Sequence, residues 1–253
     1  MKNQINIPPD TAFRRFVTRL KNNRTALAIS KRINPSRRLE IRHIEKALNL
    51  QNDDTVLDVG CGDGYWSNYF SRKCHFLAGI DPFEADLSKA KLHAYRNTEF
   101  QLATAEKLPF PDGRFMKVFG VCVFEHFYDD VAAFKEMNRI LKPGGILAGT
   151  VDSLESEQIS PAFREWHMKT AYCQQLYSVN SLKEKLECAD FENINAYFIS
   201  GSKLSVWWEM FTERSGIAKH ALSLILYPII MLLERKKYHS GYKILVRAEK
   251  RHA

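Results

Sequence analysis

The sequence predicts an α/β protein built on a doubly wound, mostly parallel sheet, and two observations carry that prediction. The first is Thr55–Ser67, T-V-L-D-V-G-C-G-D-G-Y-W-S. A short apolar, β-branched run meets three alternate glycines and passes into a segment with helical spacing at Tyr65, Tyr69 and Phe70. Strand, glycine turn and helix together open a βαβ unit of the kind that binds nucleotides. The second is repetition, because strand-like runs alternate with helical ones along most of the chain, and that order places helices on both faces of one sheet.

Taken in order, Phe13–Ile33 shows a broken helical stripe rich in Arg and Lys, and Leu39–Leu50 shows a second helix after the Pro35-Ser36 interruption. Both read as solvated helices on the domain edge, or as helices that grip a ligand. This basic helical cap over residues 1–50 precedes a main domain over 51–253. His75–Ile80 is the second strand, ending at Asp81. Glu99–Ala103 is the third, and Asp112-Gly113 marks a turn. Phe115–Val123, almost wholly apolar, is a buried fourth strand. Val131–Leu141 is an amphipathic helix stopped by Lys142-Pro143-Gly144-Gly145, and Ile146–Val151 is the fifth strand. Ser178–Ala189 reads as a helix, Ile194–Ile199 as a sixth strand and Tyr242–Ala248 as a seventh.

The chain has 253 residues, 45% hydrophobic and 26% charged, enough to bury a proper core. Its five cysteines are odd in number and scattered, without a C-x-x-C pair, which points to reduced thiols in a cytoplasmic protein and away from a structural zinc. The first ten residues lack the apolar core of a signal peptide. The net charge of +8 is uneven: residues 1–50 carry +9, residues 214–253 carry +7, and the middle carries −8. Basic ends of this kind suit nucleic acid, anionic lipid or an anionic substrate, and charge alone does not choose.

In βαβ units an acid placed like Asp81, 21 residues beyond Gly60, accepts hydrogen bonds from ribose hydroxyls. The string D-P-F-E reads equally as a helix start, with Asp81 as the cap. A dinucleotide fingerprint needs a small residue at position 65, where this chain has Tyr65. The pattern is D-x-G-x-G-x-G instead, from Asp58 to Gly64. That pattern resembles motif I of the class I S-adenosylmethionine (SAM)-dependent methyltransferases. Thr104–Phe110, T-A-E-K-L-P-F, resembles the D-A-E-x-L-P-F segment of the type 11 methyltransferase domain family, with Thr104 where the family has Asp. Glu125–Leu147 is similar to its post-strand-four segment and L-K-P-G-G turn. These motifs span roughly residues 50–152 at the family's spacings.

The resemblance implies a Rossmann-like seven-stranded sheet whose last strand is antiparallel and inserts beside the fifth, with N-terminal helices and a helical insert before that strand. It implies SAM as cofactor, lined by Asp58, Gly60, Cys61, Gly62, Asp81, Pro82, Thr104, Ala105 and Cys122. Gly60, Gly62 and the backbone of Cys122 would stand at the methionine end. His126 begins the loop past strand four, where open α/β sheets place their sites, and is the candidate base; it also reads as a packing or capping histidine. His167, Tyr172 and Asp152 are further candidates from the variable acceptor region, and no metal ligand set is expected.

Methyl transfer to an oxygen or carbon of a small hydrophobic or lipid-linked acceptor is the expected reaction. Alternatives are lipid methylation like that of cyclopropane fatty acid synthases, suggested by Phe124-Glu125-His126-Phe127, an RNA methyltransferase using the basic ends, and a SAM-binding module without catalysis. No motif points to DNA or RNA. The stretch 207–237, between strands six and seven, holds Trp207-Trp208 and the apolar run Ala221–Leu233. The run is too short to span a bilayer, and Arg214, Lys219, Arg235, Lys236 and Lys237 flank it. It reads as an element lying on a membrane surface, or as a core or dimer-forming helix.

Overall fold

The computed structural model describes residues 34–214 and 218–252, so the helix expected at Phe13–Ile33 lies outside the described residues. Asn34 caps the first helix, α1 (Pro35–Leu48), by accepting from the Ser36 amide, and Pro35 supplies the fixed φ that suits a first helical position. The pair that looked like an interruption is the helix start. Nor is α1 a solvated edge helix. Leu39, Ile41, Ile44, Ala47 and Leu48 form a stripe wide enough to be buried against the sheet.

Strands β1 (Thr55–Val59), β2 (Phe76–Asp81), β3 (Thr98–Leu102), β4 (Phe115–Val121) and β5 (Leu141–Asp152) run parallel. β6 (Phe191–Ile199) and β7 (Lys243–Lys250) complete a seven-stranded sheet in the order β3-β2-β1-β4-β5-β7-β6. β7 is antiparallel to both β5 and β6, as the resemblance implied. The order reverses between β1 and β4, which is where an open α/β sheet leaves a crevice at its carboxyl edge.

Successive strand residues serve opposite faces. Leu57, Val118, Leu147 and Ile244 pack under α4 (Asp130–Ile140) and α6 (Val179–Glu187), while Val56, Phe119, Ala148 and Leu245 pack under α1 and α2 (Tyr65–Phe70). Helix α3 (Glu84–Leu92) closes the β2–β3 edge through Leu87 and Ala90. Strand β4 stops two residues short of the expected Val123, because Cys122 takes φ 48° and turns its amide to the Thr150 carbonyl and hydroxyl.

Besides α6, residues 153–242 hold three further described helices: α5 (Pro161–Ala171), α7 (Lys203–Arg214) and α8 (Ala218–Leu233). Ser160 caps α5 by accepting from the Phe163 amide, and Pro161 is its first residue, a start signal that no apolar run in the sequence reinforces. Among the described residues, no helix is long and apolar enough to cross a membrane.

Candidate active site

The carboxyl ends of β1, β2 and β4 meet around the glycine turn, and the three glycines are there for different reasons. Gly60 has φ 71°, and a Cβ on it would lie 2.3 Å from Cγ2 of Val123, so the loop after β4 excludes any side chain. Gly64, at φ 72°, is crowded by Ala90 and Phe100. Gly62, at φ 54°, has nothing among the described residues within 4 Å of its would-be Cβ. The turn is thus packed on two sides and open over Gly62, which leaves the backbone there free to meet a ligand.

Asp81 holds the turn from the next strand. One carboxylate oxygen accepts from the Gly62 amide at 2.9 Å and the other from the Phe83 amide at 2.9 Å. Asp81 is not the cap of the helix that follows, since Phe83 holds that position without a side-chain cap bond, and each Asp81 oxygen keeps a second lone pair for a hydroxyl donor. Asp58 lies under the turn. It is 2% exposed and accepts from the Ser67 hydroxyl at 2.6 Å, tying β1 to α2. Burial, together with the neighbouring Asp81, pushes its carboxyl up to about 8 despite the Ser67 bond. Cys61 packs with Leu87, Ala90 and Phe100, and its amide, like that of Gly60, donates to the Ile80 carbonyl. Pro82 and Thr104 are exposed beside buried Ala105 at the ends of β2 and β3.

Past β4, Phe124–His126 forms one turn of 3₁₀ helix. His126 is half-buried, with Nδ1 3.4 Å from the Tyr172 carbonyl oxygen at the end of α5. The Tyr172 side chain is 72% exposed.

His167 and Asp152 come together inside the protein. His167 Nε2 lies 2.9 Å from Asp152 Oδ2, and its Nδ1 lies 3.2 Å from the Tyr242 hydroxyl. Burial works against the imidazolium, but Asp152 outweighs it and holds His167 above its ordinary range. The Asp152 carboxyl, penalised by burial in turn, is held below its usual range by His167 and Lys243. The ligand atoms of Asp152, His167 and Cys173 lie within 4.8 Å of one another. Both nitrogens of His167 already face partners and burial pushes the Cys173 thiol up to about 12, so the group is organised as a hydrogen-bonded array.

Sequence reasoning missed the charges around this array. Glu40, 0% exposed, meets Arg37 at 2.7 Å and Lys243 at 2.6 Å, and Lys243 reaches Glu209 at 3.1 Å. Glu209 accepts in turn from the Ser200 hydroxyl. Burial would strip the Lys243 proton, yet Glu209 and Glu40 hold it well above its ordinary range. The Cys122 thiol sits 3.4 Å from Glu40 and 3.8 Å from Asp152, so this network reaches the end of β4. Glu125 is fully buried beside Asp152, with Oε1 accepting from the Asp152 amide and Oε2 lacking a partner among the described residues. Burial and then Asp152 raise its carboxyl well above the carboxylate range. The available signal was Glu40 at the i, i+4 spacing of the buried α1 stripe, followed by Ile44 and Leu48.

Residues 57–149 match the family described as the methyltransferase domain. That stretch, from β1 into β5, is a methyltransferase domain. A Bradyrhizobium sp. ubiquinone biosynthesis O-methyltransferase is 33% identical over 105 residues, 40% of this chain and 41% of the relative. Phosphoethanolamine N-methyltransferase 3 of Arabidopsis thaliana is 31% identical over 153 residues, 59% of this chain and 31% of the relative. The chain thus spans less than half the length of these curated relatives. A Haemonchus contortus phosphoethanolamine N-methyltransferase 2 solved with S-adenosyl-L-methionine shares the fold at TM-score 0.67 and 16% identity, over 96% of this chain and 61% of that one. That structure holds S-adenosyl-L-methionine, and the open backbone over Gly62 beside the Asp81 carboxylate here suits a cofactor of that kind.

Proposed function

We propose that this chain transfers a methyl group to an oxygen or carbon atom of a small hydrophobic or lipid-linked acceptor. SAM, when bound, supplies an electrophilic methyl group on a sulfonium. Gly60, Cys61, Gly62, Asp81, Pro82, Thr104, Ala105 and the Cys122 backbone would hold it, with Asp58 bracing the turn from beneath. The work left to the protein is to align the acceptor, exclude water and take a proton.

The observation that carries the acceptor class is His126. With Nδ1 facing the Tyr172 carbonyl, its Nε2 keeps a lone pair at the end of β4, where it can accept the proton of a hydroxyl or an acidic C–H. A neutral amine acceptor would need no such base. The Asp152–His167–Tyr242 array, with its ionised carboxylate near Cys122, would orient the acceptor's polar end. The O-methyltransferase names among the relatives agree with this reading.

The test incubates the enzyme with methyl-labelled SAM and fractionated extract of its host. Label in a solvent-extractable small molecule is expected, and label confined to RNA would overturn the reading. With the acceptor in hand, His126→Gln should lower kcat by about 10²–10⁴ and remove the acid-side limb of the pH–rate profile, with SAM affinity unchanged. An unchanged profile would remove His126 as the base.

A further inference from the structure

Helix α8 is apolar on both sides, and its two sides meet different surroundings. Ser223, Tyr227, Ile230 and Glu234 follow one another at helical spacing and face the protein. Ser223 and Ile230 are each 1% exposed, Tyr227 bonds with Arg38 of α1, and Glu234 accepts from the amides of Gly201 and Ser202. These contacts fix the rotation of the helix. The opposite side presents Ile225, Ile229 and Leu232, exposed by 65%, 45% and 60%, with exposed Pro228 between them. Ile230 is therefore core. Leu226 is half-buried on the flank.

Directly after the helix stand Arg235, Lys236 and Lys237, all exposed, and among the described residues no ion pair engages them. Exposed Arg42 and Lys46 of α1 lie at the same end, since both they and Glu234 act electrically on His43. The side chains of Arg214 and Lys219 lie outside the described residues. An apolar stripe held outward on a rigid helix, ending in uncompensated positive charge, matches an interfacial element.

We propose that the outer face of α8 docks the enzyme on a bilayer bearing anionic headgroups, with Ile225, Ile229 and Leu232 entering the headgroup boundary and Arg235–Lys237 meeting the phosphates. A second copy of the chain fits less well. Helix α8 holds no acidic residue, so an isologous contact would bury basic ends with nothing on this face to meet them. The docking surface rests on the geometry of α8 and holds whichever acceptor the enzyme methylates.

The experiment is sedimentation of the full chain with vesicles of phosphatidylcholine alone and of phosphatidylcholine with phosphatidylglycerol, about 3:1. Binding to the mixed vesicles is expected, weakened in high salt. The double substitution Ile225→Glu with Ile229→Glu should weaken it by at least about tenfold, with the melting temperature and SAM affinity of the wild type retained. The exposed triple Arg235→Gln, Lys236→Gln, Lys237→Gln, which cannot disturb packing, should abolish the preference for anionic vesicles. A wild type that ignores both vesicles overturns the proposal. So does a wild-type dimer that the Ile225→Glu, Ile229→Glu chain converts to monomer, since the face is then an interface between copies.

Discussion

The proposed cofactor end and the proposed acceptor end of this crevice are built by different means. At the glycine turn proposed to hold SAM, the working parts are backbone: the Gly60 and Cys61 amides bound to the Ile80 carbonyl, the Gly62 amide on Asp81, and an open surface over Gly62. These parts fall within residues 58–81, and a local string of residue types encodes them. At the acceptor end the working parts are side chains brought from afar. Glu40 and Lys243 meet across 203 residues of sequence, and Asp152, His167 and Tyr242 come from β5, α5 and the residue before β7. A backbone site needs one motif, whereas a side-chain site needs the whole fold.

That contrast predicts where substitutions hurt, and the largest effect belongs to Glu40. Removing it leaves the Lys243 ammonium buried with Glu209 alone and Arg37 without its carboxylate. Glu40→Ala should cost about 3–5 kcal/mol of folding free energy, the usual result of stranding a buried charge. Chemical denaturation measures it, and Glu40→Gln should recover part of the loss. SAM affinity of the folded fraction should stay within about threefold of wild type. If affinity falls in step with stability, the two ends are one unit and the comparison fails.

Gly62→Val gives the converse. No atom of the described residues lies within 4 Å of the new Cβ, so the fold loses only the strain of a branched residue at φ 54°, about 1–2 kcal/mol. The side chain fills the space left for the cofactor, and SAM affinity should drop by at least about 100-fold, or about 2.7 kcal/mol. Calorimetry on a variant that still melts cooperatively makes the measurement. Undiminished binding would move the cofactor off this turn.

The same contrast explains what the sequence disclosed. Parallel strands and the place of Asp81 were legible because short periodic runs and turn glycines are local signals. The burial of α1 was not, since its many Arg and Lys residues read as solvated until the sheet claimed Ile41, Ile44 and Leu48. His126 was legible through the string that follows β4. The partnership of Asp152 with His167 was not, because each residue was visible but nothing in the chain states that α5 folds over the end of β5. Strand β4 gave a smaller surprise of the same kind. Val123 looked like a strand residue by hydropathy, yet the Cys122 turn sends it across to pack on Gly60.

Asp58 offers the finest test, because it is a side chain serving the backbone-built end. Burial, with Asp81 nearby, raises its folded pKa to about 8 from an ordinary 3.8. Within that window the folded chain keeps a proton that the unfolded chain has released. Its contribution to stability is therefore complete below 3.8 and is lost as pH rises toward 8, at a slope near about 1.4 kcal/mol per pH unit. Asn cannot titrate but keeps an oxygen for the Ser67 hydroxyl, so Asp58→Asn should flatten that slope when melting is followed between those two limits. If Asp58 only braces the turn from below, SAM affinity in the variant stays within about threefold of wild type. Parallel pH profiles for the two proteins would mean that Asp58 is already ionised in the fold. A large loss of SAM affinity with an unchanged melting temperature would place its carboxylate on the cofactor side of the turn.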